Sequence, residues 1–168
     1  GPVTAQPLFV GAAPIGSTSR DAVIVATGGN SIYALEASTG ATLWRRNFGL
    51  QSSNCAIPGG FGVTGAPLVD RGTNRIYTVS DDGQFHTMSL GTGADLFTPF
   101  SLISSPSTNK VWGGVNKVGN SVYVVSASDG CDTRPWRGQI YKVDVTSTPT
   151  LANTFVVVPG IATPNGGG

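Results

Sequence analysis

Asp21-Ala-Val-Ile-Val-Ala-Thr-Gly-Gly-Asn-Ser-Ile-Tyr-Ala-Leu-Glu-Ala-Ser-Thr-Gly-Ala-Thr-Leu-Trp44 holds three short strand-like runs separated by two turn signals. Residues 21–27 are small and β-branched, a composition that suits a strand. Gly28-Gly29-Asn30 supplies residues that accept positive φ, as a tight hairpin turn requires. Ser31–Glu36 then alternates as a second strand, Thr39-Gly40 marks another turn, and Thr42–Trp44 opens a further strand. Upstream, Ala5–Val10 reads as a strand leading into the hairpin. The first unit is therefore predicted to hold strands at 5–10, 21–27, 31–36 and 42–47.

The same order recurs downstream. Arg75–Ser80, the turn Asp81-Asp82-Gly83 and Gln84–Leu90 form a second hairpin, followed by Thr92-Gly93-Ala94 in the place of Thr39-Gly40-Ala41. Ala66–Asp70 echoes the strand that precedes the first hairpin. Ser121–Ser126, Asp129-Gly130 and Gln139–Asp144 form a third hairpin, opened by Val111–Val115 and closed by Leu151–Val158. Strands are expected at 64–69, 75–80, 84–90 and 95–102, then at 111–118, 121–127, 138–144 and 151–158. No helical periodicity of useful length competes.

Four antiparallel strands per repeat, at a period of roughly 50–60 residues, mark a β-propeller blade. The expected fold is all-β, a partial propeller of about three blades at 1–50, 51–105 and 106–160, with a tail at 161–168 leading toward a missing blade. A ring usually takes four to eight blades. The remaining blades of a longer chain, or a second copy, are expected to close it. Gly1-Pro2-Val3 carries neither an initiator methionine nor a signal-peptide pattern, and reads as the start of a mature or excised segment.

The portion from Ala26 to Trp44 resembles the repeat of pyrroloquinoline-quinone-like, quinoprotein-type β-propellers, and Gly1–Leu8 and the stretch around Cys131 resemble secreted members of that superfamily. The resemblance implies that the Thr-Gly turn joins the two outer strands and that Trp44 docks between neighbouring blades; Phe97 stands in the corresponding place in the second repeat. Quinoprotein dehydrogenases with this repeat stack the cofactor between a tryptophan and a disulfide of adjacent cysteines, and hold a calcium or lanthanide ion beside it. Here Cys55 and Cys131 are not adjacent, and Glu36, the only glutamate, fills a repeat position with a structural role. No cofactor-binding residue is carried over, and no cofactor is assigned to this chain.

Charged residues make up 11% of the chain, against about 25% in an average soluble domain. Net charge is +1 and there is no basic run, so neither a nucleic-acid footprint nor a membrane-surface patch is indicated. No apolar run is long enough to span a membrane as a helix. A surface of Ser, Thr, Asn and Gly with few lysines (Lys110, Lys117 and Lys142) is a compositional sign of an exported protein, extracellular, cell-surface or periplasmic.

The two cysteines match no zinc pattern. In an antiparallel meander the turn between the second and third strands and the connection between blades emerge at one end. Cys55 lies in the first inter-blade connection and Cys131 in such a turn of the third blade, so a disulfide between them fits, with two unpaired thiols as the alternative. The turn Ser128–Gly138 is an insertion relative to the first two repeats and gathers Asp132, Arg134, Trp136 and Arg137. Two readings of it are open. One is a binding loop on a rigid scaffold; the other is a self-packed loop whose tryptophan covers its own blade. Asp129 and Asp132 alone fall short of a calcium shell.

His86, the sole histidine, lies within a strand with no nucleophile motif beside it, and reads as a structural or surface residue. No catalytic residue is assigned. The functional expectation is a non-catalytic exported scaffold or recognition module. The alternatives are a fragment of a quinoprotein oxidoreductase whose cofactor residues lie outside the chain, and a glycan-binding propeller using Trp112 and Trp136.

Overall fold

In the computed structural model, residues 1–49 and 61–161 are described. They form thirteen strands and no helix. The first sheet is a meander of β1 (Leu8–Ile15), β2 (Thr18–Thr27), β3 (Ser31–Glu36) and β4 (Thr42–Asn47). The second contains β5 (Leu68–Asp70), β6 (Arg75–Val79), β7 (Gln84–Ser89) and β8 (Phe100–Ser101) in the same order. The third contains β9 (Asn109–Val111), β10 (Asn116–Val118), β11 (Ser121–Ser128), β12 (Trp136–Asp144) and β13 (Thr150–Ile161). All strand pairs within the sheets are antiparallel. The three sheets do not close on one another: this is a partial β-propeller.

The turn chemistry follows the sequence. Asn30, Gly83 and Gly130 in the hairpin turns, and Gly40 and Gly93 in the Thr-Gly turns, all have positive φ. Several strand bounds differ from those read off the sequence. β1 and β2 continue as one hairpin through residues 11–20, turning at Gly16, with a bulge between Val10 and Ala13 where Ala12 has positive φ. β5 is confined to Leu68–Asp70. The outer strand of the second sheet is reduced to Phe100–Ser101 plus an isolated bridge from Met88 to Asp95. The inner strand of the third sheet is split. β9 pairs with residues 126–128 and β10 with 121–123 of the same strand, and the break falls at Gly113-Gly114. There the chain turns to the second sheet instead: the Ala66 N–H donates to the Gly113 carbonyl (2.9 Å) and the Val115 N–H to the Ala66 carbonyl (3.0 Å).

Packing is sheet against sheet. Ala22, Ile24, Ala26 and Ala34 of the first sheet meet Ile76, Met88 and Leu90 of the second. The other face of the second sheet, with Tyr77, Val79 and Phe85, meets Val122, Val124, Tyr141 and Val143 of the third. The middle sheet is covered on both sides, and its β6 and β7 are buried almost continuously, as expected for strands with no solvated face. The end sheets are covered on one side only. On the third sheet, Val118 (71% exposed), Val125 (44%) and Phe155 (48%) remain in solvent; on the first, Phe9 (67%) does. Both cores therefore lie between sheets, and each end presents an apolar face.

Candidate functional site

Three places gather polar chemistry: the joint between the first two sheets, the turn of the second sheet, and the loop preceding β12. At the joint, Trp44 leaves β4 toward the second sheet. It is buried, and its indole N–H donates to the Leu90 carbonyl at 2.9 Å. Its ring lies over Gly93, where an added Cβ would come within 2.5 Å of it. In the second sheet Phe97 is half-buried, under the Arg75 guanidinium at 5.4 Å from its ring centre.

The turn Ser80-Asp81-Asp82-Gly83 is tied to all three sheets. The Asp81 N–H donates to Asn30 Oδ1 of the first sheet at 3.0 Å. Lys110 of the third sheet donates to the Asp81 carbonyl at 3.2 Å and pairs with its carboxylate, both side chains being buried. Lys110 Nζ also lies 5.5 Å from the centre of the Phe61 ring. Within the second sheet, Ser80 Oγ contacts His86 Nε2 (2.8 Å), and His86 Nδ1 contacts Asp95 Oδ1 (2.9 Å). Asp95 Oδ2 accepts from Arg46 of β4 at 2.9 Å. The Phe48 ring lies 4.4 Å from the imidazole, centre to centre.

This serine–histidine–aspartate chain was not visible in the sequence, where His86 carries no motif. Its order is that of a hydrolase triad, but its surroundings are not. Ser80 is buried, and its Oγ also bonds Asp82 Oδ1, which places a carboxylate where negative charge would have to develop. The N–H groups of Ser80, Asp81, Gly83 and Gln84 are already engaged, and an oxyanion hole requires free donors. Burial holds the His86 pKa below its ordinary value, against the opposing pull of Asp95. His86 Nδ1 donates to Asp95 Oδ1, the Ser80 hydroxyl donates to Asp82 Oδ1, and the Ser80–Nε2 contact takes its direction from the protonation of the imidazole.

The loop before β12 is shorter than expected, because β12 begins at Trp136. Its residues do not converge. Asp132 and Arg137 are exposed, Arg134 is half-buried, and Trp136 is buried. Trp136 thus packs inward and offers no ring for stacking a ligand. Asp129 is also buried: its Oδ1 accepts from the N–H groups of Cys131 (3.1 Å) and Thr133 (3.0 Å), so it organises the loop. Asn109 Oδ1 anchors the loop's end through the Arg137 N–H (2.8 Å). Cys131 is not a free thiol; Cys55 lies outside the described residues. Trp112 is half-buried with its indole N–H on the Ser128 carbonyl (2.7 Å). It lines a cavity of about 340 Å³ with Thr4, Gln6 and Thr64.

A family model described as outer membrane protein assembly factor BamB matches residues 4–158. The chain belongs to the BamB family. Solved structures agree at the level of fold. BamB from Moraxella catarrhalis is 15% identical with a TM-score of 0.53, over 91% of this chain and 36% of that one. Quinohemoprotein alcohol dehydrogenase from Comamonas testosteroni is 13% identical with a TM-score of 0.61, over 92% and 21%. A europium-containing methanol dehydrogenase is 17% identical with a TM-score of 0.66, over 92% and 25%. No curated protein matches in sequence. The chain thus spans between about a fifth and about a third of the length of these structures. Among the described residues of this BamB-family chain, no three His, Cys, Asp or Glu side chains cluster as metal ligands, and no helix is long and apolar enough to cross a membrane.

Proposed function

We propose that this chain is a non-catalytic segment of an exported BamB-family propeller, serving as a scaffold or recognition module in the periplasm or at the cell surface. The observation that carries the reading is the contrast between its sealed and its open groups. The one triad-like cluster among the described residues is buried and lacks an oxyanion hole, while the accessible chemistry is of the docking kind: bare apolar faces at both ends and exposed Asp132 and Arg137 beside half-buried Arg134. The end faces are completed by further blades of a longer chain or by a second copy, and the loop before β12 is the candidate contact for a protein partner.

The rival reading, a fragment of a quinoprotein oxidoreductase whose cofactor residues lie outside the chain, is tested on the full-length protein, by incubating it with pyrroloquinoline quinone and calcium and passing it through a sizing column. No quinone absorbance is expected to travel with the protein. Co-elution at one quinone per chain would overturn the scaffold reading. A glycan-binding reading draws support from Trp112 alone, through its polar-edged cavity.

The reading also includes a disulfide between Cys131 and Cys55, the chain's other cysteine, tying the first inter-blade connection to the loop. In the chain-entropy model such a bond contributes about 4 kcal/mol, and it would hold the loop in one arrangement, reducing the ordering cost of binding. A non-reducing peptide map is expected to show the two cysteine peptides linked. Recovery of both peptides as free thiols would remove the disulfide and the reason for preferring this loop.

A further inference from the structure

The inner strands of the three sheets converge on one groove. Phe9 of β1, Val69 of β5 and Val115, just before β10, line a cavity of about 360 Å³. Its size lies at the small end of the range for small-molecule sites, about 300–1,000 Å³. One wall is fixed by backbone: Ala66 and Gly114 line the groove, and Ala66 bonds to the main chain of Gly113 and Val115. There is room beside that wall, because a Cβ added at Gly114 would meet only the Ala66 Cβ, at 4.0 Å.

The lining is apolar with one exception. Phe9 is 67% exposed, and a large aromatic side chain gains most by leaving water. The exception is Arg71, which follows β5, lines the same groove and is exposed. The adjacent carboxylate is committed elsewhere. Asp70 Oδ2 pairs with Lys117 of the third sheet at 2.9 Å, and Asp70 Oδ1 accepts from the Gly72 N–H at 3.0 Å. Among the described residues Arg71 has no ion pair, and no acidic side chain lines the groove.

We propose that this groove binds an apolar carboxylate of the size of a medium-chain fatty acid, its chain covering Phe9 and its carboxylate on Arg71. The match is one of polarity and of charge. A polyol would bring hydroxyls against walls that leave them without partners, and a cationic amphiphile would meet the guanidinium. A carboxylate is the group that a planar guanidinium holds through two parallel N–H donors. The small cavity favours a short chain over a long one. The groove lies at the inner strands and not on the bare end faces, so this site does not depend on the scaffold reading, nor that reading on it.

Calorimetric titration of the full-length protein with decanoate, below its micelle-forming concentration, is expected to show one saturable site per chain. Decanol has the same chain without the charge, and is expected to bind about tenfold more weakly for want of the charge-assisted bond. Arg71→Gln should bring decanoate down to the affinity of decanol and leave decanol unchanged. Gly114→Val adds bulk beside Ala66 and should weaken both ligands. Absence of saturable binding would overturn the proposal. So would binding that is the same in the parent, Arg71→Gln and Gly114→Val, since the ligand would then lie on the apolar end faces. Should Gly114→Val not fold, NMR decides: Overhauser contacts are expected between decanoate methylenes and the Phe9 ring, and their absence in a saturated sample would equally overturn it.

Discussion

Trp44→Ala is expected to lower the stability of the protein by about 3–5 kcal/mol, the range for emptying a large buried aromatic site. The estimate rests on where the ring lies. It fills the space between two sheets rather than within one, against Gly93, so neither sheet can collapse into the gap without moving as a body. The indole N–H adds a bond to the Leu90 carbonyl, which would otherwise be a buried acceptor with a lost partner. Trp44→Phe separates the two contributions: it keeps most of the contact area and loses the bond, at about 1 kcal/mol. Urea unfolding of the three proteins gives the comparison. A Trp44→Ala midpoint equal to that of the parent would mean that the first joint does not depend on this residue.

The second large effect is expected at Lys110. Removing one partner of a buried ion pair leaves the other charge uncompensated, at about 3–5 kcal/mol, whereas replacing both partners by neutral groups costs much less. Lys110→Met is therefore expected to be destabilising, because the Asp81 carboxylate loses its Lys110 ion pair in a site with almost no solvent contact. Lys110→Met combined with Asp81→Asn should recover a large part of the loss. The measurement is again equilibrium unfolding, read as a double-mutant cycle. Additive losses from the two substitutions would show that the two charges do not depend on each other.

The residues that were legible in the sequence are those whose role is local. Gly28-Gly29-Asn30, Asp82-Gly83 and the two Thr-Gly pairs announce turns because positive φ is a property of the residue at that place, and the three hairpins lie between them where expected. Trp44 could be singled out only through a family resemblance, since nothing local says which face of β4 meets a neighbour. What was not legible depends on contacts between distant strands. Lys110 and Asp81 belong to different sheets, and a lysine in a strand reads as a solvated one until the partner is seen. Ser80, His86 and Asp95 are close in sequence, yet they meet because β6 and β7 pair in a register that sets Thr78 opposite His86, and because Met88 bridges Asp95. The split of the third inner strand has a signal, Gly113-Gly114, though a glycine pair inside an otherwise strand-like run is compatible with a continuous strand. The backbone there bonds to the second sheet, a choice that no alternation pattern encodes.

That contact at Ala66 and Gly114 also fixes a geometry. The second and third sheets touch main chain to main chain at their inner strands, where Gly65 has no room for a Cβ against the Gly113 carbonyl and Val111, whereas farther out they are held apart by Tyr77 and Phe85 against Tyr141. Two slabs pinched at one end and propped at the other form a wedge, and the taper of that wedge is the angle each repeat subtends at the axis. Ring size is then a ratio of side-chain widths: small residues at the hub and large ones at the periphery give a steep taper and a ring of few members, while bulk added at Gly65 would flatten the wedge and call for more of them.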